Sequence, residues 1–299
     1  MLTRRFMPYV WVVFAACCLV SYGNGQTPPS QAQGSTPIPT TAPVATPTPS
    51  LPSPSHVVVV MEENHSYAEI IGSSQAPYIN TLATAGALFT QSFAIGHPSE
   101  PNYLALFSGS TQGITDDSCP HTFSASSLES ELLAGGKTFK GFSEGLPAPG
   151  SMTCGSGLYA RKHVPWTDFS KDQPADNLPF TSFPSDFTKL PTVAFVIPNL
   201  DDDMHDGSVQ QGDRWLQTNL MAYVTWAQSN NSLLIVQFDE DDGSQNNHIA
   251  TIFVGAMVKP GKYSEKINHY NVLRTIEDMY KLPRLANAAR AKPIKDVWK

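Results

Sequence analysis

The sequence predicts an α/β protein with a mostly parallel central sheet and helices on both of its faces. Two features of its patterning and one of its loops predict this. Runs such as His56-Val57-Val58-Val59-Val60-Met61 are apolar on both faces, as strands covered by helices on each side must be. Helical patterns alternate with those runs along the chain, which favours parallel strands with crossover helices. Acids, Asn, His or a hydroxyl follow four of the runs, at the strand ends where open α/β sheets bind ligands.

Taken in order, the first strand is expected over residues 56–61. Residues 76–85 read as a helix, 87–93 as a strand, 126–133 as a helix and 138–142 as a weaker strand. Residues 147–190 are rich in Pro and Gly and read as loop. A buried strand follows at 192–197, and Asp213 opens a helix whose Leu216, Leu220, Val224 and Ala227 share one face. Residues 233–238 and 249–254 are buried strands, and Val272, Leu273, Ile276 and Tyr280 line a last helix. The stretch 56–299 has the length of one such domain and no internal repeat.

Residues 1–25 read as an export signal: Arg4 and Arg5 precede the apolar run 6–20, with Ser21, Gly23 and Gly25 after it. Phe14-Ala15-Ala16-Cys17 also resembles a lipoprotein cleavage box, which would make Cys17 a membrane tether, and a retained anchor is the third reading. All place the domain in a secreted, periplasmic or cell-surface setting. Residues 26–55, dominated by Pro, Thr, Ser, Ala and Gln, are expected to be an extended linker. Of the four cysteines, Cys119 and Cys154 lie outside the signal, and in an oxidising compartment they are expected to pair. The chain is 41% hydrophobic with a net charge of −7, so it has material for a large core and lacks the basic surplus of a nucleic-acid binder.

The stretch Gly96-His97-Pro98-Ser99-Glu100-Pro101-Asn102-Tyr103 organises the rest. A serine before a Pro-containing first turn marks a helix start, where free amides and the helix dipole favour an anion. Ser99 is therefore either a cap or a hydroxyl poised to attack a phosphoryl group. Glu62-Glu63-Asn64-His65 follow the first strand, Asp201-Asp202-Asp203-Met204-His205-Asp206 follow the strand ending at Ile197, and Asp239-Glu240-Asp241-Asp242 follow Phe238. Carboxylates gathered on one rim need a cation or shifted pKa values to coexist. Oxygen ligands with some imidazole suit Mg, Ca, Mn or Zn. Taken alone, residues 201–206 fit a structural calcium loop equally well.

Five blocks together resemble the phosphoesterase family of acid phosphatases and bacterial phospholipases C, within the alkaline phosphatase superfamily. They are Met61-Glu62-Glu63-Asn64-His65-Ser66, the Ser99 block, Tyr159-Ala160-Arg161-Lys162-His163-Val164-Pro165-Trp166, Asp203-Met204-His205-Asp206-Gly207 and Phe238-Asp239-Glu240. The resemblance implies a three-layer α/β/α sandwich of alkaline-phosphatase-like architecture and a hydrolase of small-molecule or lipid phosphate esters that depends on a divalent metal. It places the nucleophile at Ser99, beside metal ligands Glu63, Asn64, Asp239 and Glu240, with Ser99 itself in the set. Asp203, Asp206 and His248 are further candidate ligands. His205 or His163 would protonate the leaving alcohol, Lys162 or Arg161 would face the transferring charge, and Asn102 would bond a phosphoryl oxygen. A phosphomonoesterase is the expectation, with a phospholipase C or other phosphodiesterase, or a non-catalytic binding module, as the alternatives.

Overall fold

The computed structural model describes residues 51–299, so the expected signal, Cys17 and most of the linker lie outside it. Eleven strands are present: β1 (His56–Glu62), β2 (Ala87–Phe93), β3 (Phe139–Ser143), β4 (Gly155–Ser156), β5 (Tyr159–Ala160), β6 (Asn177–Pro179), β7 (Val193–Ile197), β8 (Ser232–Phe238), β9 (His248–Gly255), β10 (Gly261–Tyr263) and β11 (Ile267–Asn268). The helices are α1 (Tyr67–Ile70), α2 (Pro77–Ala85), α3 (Ser99–Ser108), α4 (Leu128–Ala134), α5 (Val209–Ala227) and α6 (His269–Tyr280).

The main sheet runs β10-β2-β9-β8-β1-β7-β3-β6, with β11 also on β2. Only β9 opposes its neighbours, pairing antiparallel with β8 and β2. At the centre, β1 is parallel to both β7 and β8, with Val59 opposite Phe195 on one side and Ile235 on the other. Strand alternation splits the core in two. Val57, Val59 and Met61 join the side of α3, α4 and α6, whereas Val58 and Val60 join that of α2 and α5. The predicted sandwich is the observed fold.

Helix ends follow local chemistry. Ser208 caps α5 by accepting from the Gln211 amide at 3.2 Å, so this helix starts four residues before Asp213. Asp213 instead accepts from the amides of Tyr78 and Ile79 (3.1 and 2.8 Å) and ties α5 to the first turn of α2. Asn268 caps α6 by accepting from the Tyr270 amide at 3.0 Å. At the end of α3, Gly109 takes a φ of +72°, and a Cβ there would lie 2.4 Å from the Leu285 carbonyl oxygen.

The stretch expected to be loop carries the β4–β5 hairpin, several short 3-10 turns and β6, which adds an edge strand to β3. Its anchor is Trp166, which lies flat on Gly141 of β3 and donates from its indole N–H to Asn177 Oδ1 at 3.0 Å. Beneath it, Glu129 of α4 accepts from the Gln173 amide at 2.6 Å and is fully buried. Burial, then the nearby Asp172, pushes its pKa up to about 9. The folded protein therefore keeps a proton that the unfolded chain loses above the ordinary glutamate range, so this group's stabilisation fades as pH rises toward 9. Glu129→Gln keeps the acceptor and removes the titration. Between pH 5 and pH 9 its melting temperature should fall by about 2–4 °C less than that of the wild type, as differential scanning calorimetry would show.

Candidate active site

The loops after β1, β7 and β8 are bonded to one another. Glu63 donates its amide to the Asp203 carbonyl oxygen (2.8 Å), and Asp239 donates its amide to that of Glu62 (2.9 Å). Asn64, at a φ of +52°, turns its amide onto Asp239 Oδ1 at 3.2 Å. The Glu240 amide donates to the same oxygen at 2.6 Å. Behind them His269, the first residue of α6, bonds the Asp239 carbonyl oxygen through Nε2 at 2.7 Å.

Ser99 enters this cluster as the first residue of α3, Pro98 being the cap position. Its hydroxyl caps nothing: it donates to Glu63 Oε2 at 3.0 Å and lies 3.5 Å from Glu240 Oε1. One turn later, Tyr103 donates its phenol to Glu63 Oε1. Its ring stacks on the imidazole of His163, with centroids 5.0 Å apart. Asn102, between them, is spent on the turn. It accepts from the Ile95 and Gly96 amides (2.9 and 3.2 Å) and donates toward the carbonyls of Gly96 and Pro98 (2.9 and 3.1 Å). Its Nδ2 also lies 3.3 Å from Glu240 Oε2, so Asn102 braces the serine turn at the margin of the carboxylate cluster.

A second set faces Glu63 from the other side. His163 is buried, with Nε2 3.4 Å from Glu63 Oε1 and Nδ1 3.3 Å from Asp203 Oδ2. Lys162 donates to Asp117 Oδ2 at 2.9 Å and lies 3.1 Å from His205 Nε2. An ammonium only donates, so that nitrogen accepts and His205 Nδ1 carries the proton toward Asp206 Oδ1, 2.7 Å away. The disulfide Cys119–Cys154 joins the segment carrying Asp117 to the one leading into Lys162 and His163.

Electrostatically the centre is short of positive charge. Burial, and then Asp239 and Asp203, drives Glu63 well above the usual carboxylate range. Burial does the same for Asp239 and Asp203, and burial with the Asp239 charge does so for Glu240. His163 is pushed well below its ordinary value by burial and then by Lys162. For Lys162, burial works against the charge, but its bond to Asp117 outweighs it and the pKa is raised. Asn64 Oδ1, Asp203 Oδ2 and Asp239 Oδ2 are buried acceptors with no donor. Unpaired acceptors beside crowded carboxyls are what a hard divalent cation satisfies, so these residues fit one. Ligand atoms of Glu63, His163 and His205 also lie within 4.8 Å of one another.

The structure brings together Ser99, Asn102, Glu63, Asn64, Asp239, Glu240, Asp203, His163, Lys162 and His205. It leaves three candidates out. Asp206 is half-exposed and meets His205 only. His248 does not reach the site: its ring is sandwiched between Tyr67 and Phe93 (4.6 and 5.1 Å), and Nε2 bonds the Thr90 carbonyl oxygen. Arg161 is consumed by Asp168, Thr167 and the Met152 carbonyl oxygen, and so braces the loop. Reading by strand ends missed Tyr103 and Asp117, and named Asp241 without giving it a role. Tyr103 was legible, since four residues after Ser99 on a helix is the same face. Asp241 closes its own loop by accepting from the Gly243, Gln245 and Asn247 amides, and His97 bridges it to Glu240 (3.2 and 2.9 Å).

With this geometry in hand, likeness to known proteins decides the family. Residues 73–283 match the Phosphoesterase family. The chain belongs to the phosphoesterase family. It is a hydrolase of phosphate esters on an alkaline-phosphatase-type fold. It is 56% identical over 252 residues to a phosphatidylinositol-3-phosphatase of Mycobacterium tuberculosis, covering 83% of this chain and 84% of that one. An acid phosphatase of Aspergillus fumigatus is 31% identical over 68% of this chain, which spans only 50% of the fungal protein. In fold it resembles an alkaline phosphatase superfamily protein of Vibrio parahaemolyticus, with a TM-score of 0.55 at 14% identity over 83% of this chain and 72% of that one.

The disulfide should matter to this phosphoesterase twice over. Replacing Cys119 and Cys154 by Ser should cost roughly 2–4 kcal/mol of stability for a loop of this length, read by denaturant titration. It should also lower kcat/KM, because Asp117 and Lys162 lose their shared brace.

Proposed function

We propose that the protein is an exported, metal-dependent phosphomonoesterase working through a phosphoserine on Ser99. The observation that carries this reading is the Ser99 hydroxyl, turned from its own helix amides onto Glu63 and next to Glu240. Glu63, Asn64, Asp239 and Glu240, with Ser99 Oγ, would hold a divalent cation that lowers the pKa of the hydroxyl and offsets phosphoryl charge. Glu63 accepts the proton as Ser99 Oγ bonds to phosphorus, and the bond from phosphorus to the ester oxygen breaks. Lys162 faces the transferring charge, and the His205–Lys162 pair delivers the proton the departing alkoxide needs. Water then attacks the phosphoserine, giving up its proton to the same pair, and Ser99 recovers its own.

His163 is left a positioning role: it is walled in by Tyr103, Glu63 and Asp203, with no opening toward a leaving group. A second cation on the imidazole side is disfavoured by Lys162, which already occupies His205 Nε2. The relatives named as phosphatases support a monoester substrate, and the mycobacterial one makes a 3-phosphorylated inositol lipid the first to assay. Export is supported by the Cys119–Cys154 bond, since such bonds persist in oxidising compartments. No described helix is long and apolar enough to cross a membrane.

Ser99→Ala should reduce kcat on a phosphomonoester by about a thousandfold or more with an unchanged melting temperature. Acid quenching of the wild type with labelled substrate should trap phosphate on Ser99. Unchanged turnover in the variant would remove Ser99 from the nucleophile role. Dialysis against a chelator should abolish activity and one divalent ion should restore it. A phosphodiester should turn over far more slowly than the matching monoester.

A further inference from the structure

Charge is divided unevenly along this acidic chain. Residues 259–299 hold ten of its nineteen Lys and Arg but only four of its twenty-six Asp and Glu. One of those acids, Glu277, is buried and accepts from the Leu285 amide at 2.8 Å. The surplus gathers where α6 ends. There a hollow of about 600 Å³ is walled by Lys281, Arg284 and Lys295, together with Leu51 and Leu282. Adjoining hollows extend it to Lys137 on one side and to Lys292 on the other, where Glu265 and Asp296 also enter the wall. The acid in the main wall, Asp278, is neutralised by Arg274 and Arg284, 2.9 and 3.0 Å from its two oxygens. Among the described residues, Lys281, Lys292 and Lys295 have no ion-pair partner.

This surface lies at the end of the sheet where β1 and β7 start, opposite the strand ends that carry the Ser99 site. Helix α6 starts with His269 bonded to the Asp239 carbonyl oxygen. It ends with the Tyr280 hydroxyl donating to the carbonyls of Pro54 and Thr192 (3.1 and 3.3 Å), beside the starts of β1 and β7. Leu51, in the wall of the hollow, lies near the end of the Pro/Thr-rich stretch 26–55, which in the sequence leads back to the apolar run 6–20.

We propose that the basic surface formed by Lys281, Arg284, Lys295 and Lys292 docks the protein onto an anionic phospholipid membrane. Cations spread over adjoining open hollows match a plane of headgroups better than a single small anion, which a closed pocket would surround. Each Lys or Arg near such a surface adds to its attraction, whereas the acidic remainder of the chain is repelled. Together they orient the molecule with this end toward the lipid. The segment that joins the surface at Leu51 is the one whose sequence is expected to approach a membrane. Docked this way, the Ser99 site faces away, so the headgroups under the basic end anchor the chain and are not its substrate.

The test is co-sedimentation of the full chain with vesicles of phosphatidylcholine alone and of phosphatidylcholine mixed with phosphatidylglycerol. Neutral vesicles measure binding through apolar segments, and the anionic increment is the readout. The increment should be large at low salt, shrink as salt is raised, and fall about a hundredfold in the triple variant Lys281→Gln, Arg284→Gln, Lys295→Gln. The variant should hydrolyse a soluble monoester at the wild-type rate, which shows that it is folded. Equal binding to both vesicle types, or an increment that survives the three substitutions, would overturn the proposal. So would loss of the increment in millimolar inorganic phosphate at constant ionic strength, which would mark a small-anion pocket. Binding to an oligonucleotide in place of vesicles, abolished by the same substitutions, would overturn it as well.

Discussion

Four carboxyl groups, those of Glu63, Asp203, Asp239 and Glu240, are held out of water at one rim of the sheet, and their mutual repulsion governs everything around them. Burial alone favours their protonated forms, and each lies close enough to another to add to that cost. The protein answers with donors. Backbone amides of Asn64 and Glu240 meet Asp239, the His205 amide meets Asp203 at 2.8 Å, and Ser99 and Tyr103 meet Glu63. Those donors stop short of saturation: one oxygen each of Asn64, Asp203 and Asp239 is left bare. Gathered acids whose last partners are withheld cost stability, and they present the unsatisfied oxygens that a hard cation would fit.

The same constraint explains the scaffolding. No single loop could hold four like charges together, so each loop is fastened by the next: β1's to the Asp203 loop, β8's to β1's, and β8's to α6 through His269. Positive charge enters only on a tethered arm. Lys162 is fixed between Asp117 and His205, and the Cys119–Cys154 bond ties the two segments that supply Asp117 and Lys162. The fold thus holds this ammonium near the carboxylates, bonded to Asp117 and His205 rather than to the buried acids themselves.

Much of this was legible in the sequence because burial writes itself into residue type. Strands covered on both faces must be continuous apolar runs, and β1, β2, β7, β8 and β9 fall within a residue or two of their expected places. Site residues at strand ends were legible for a related reason, since an acid after an apolar run has few structural uses. What the sequence hid depends on partners far away in the chain. The edge strand β6 has three residues with no pattern of their own, and forms because Trp166 and Asn177 dock on β3. His248 looked like a ligand by position, but two aromatic rings from other elements claimed it. Adjacent acids are similarly opaque: Glu63 enters the site, whereas Glu62 sits with Asp203, Asp202 and Asp213, its carboxyl oxygens unbonded. For Ser99, read as either cap or nucleophile, the sequence could not say where the hydroxyl points, which is away from the helix amides and onto Glu63.

The central claim is that these carboxyls close around one divalent cation beside Ser99. Anomalous diffraction from crystals grown with manganese tests it most directly. The account predicts a single strong peak ligated by Glu63, Asn64 and Asp239, in contact with Ser99 Oγ. No peak there in crystals whose dissolved protein is fully active, or a peak held only by His163 and His205, would contradict it.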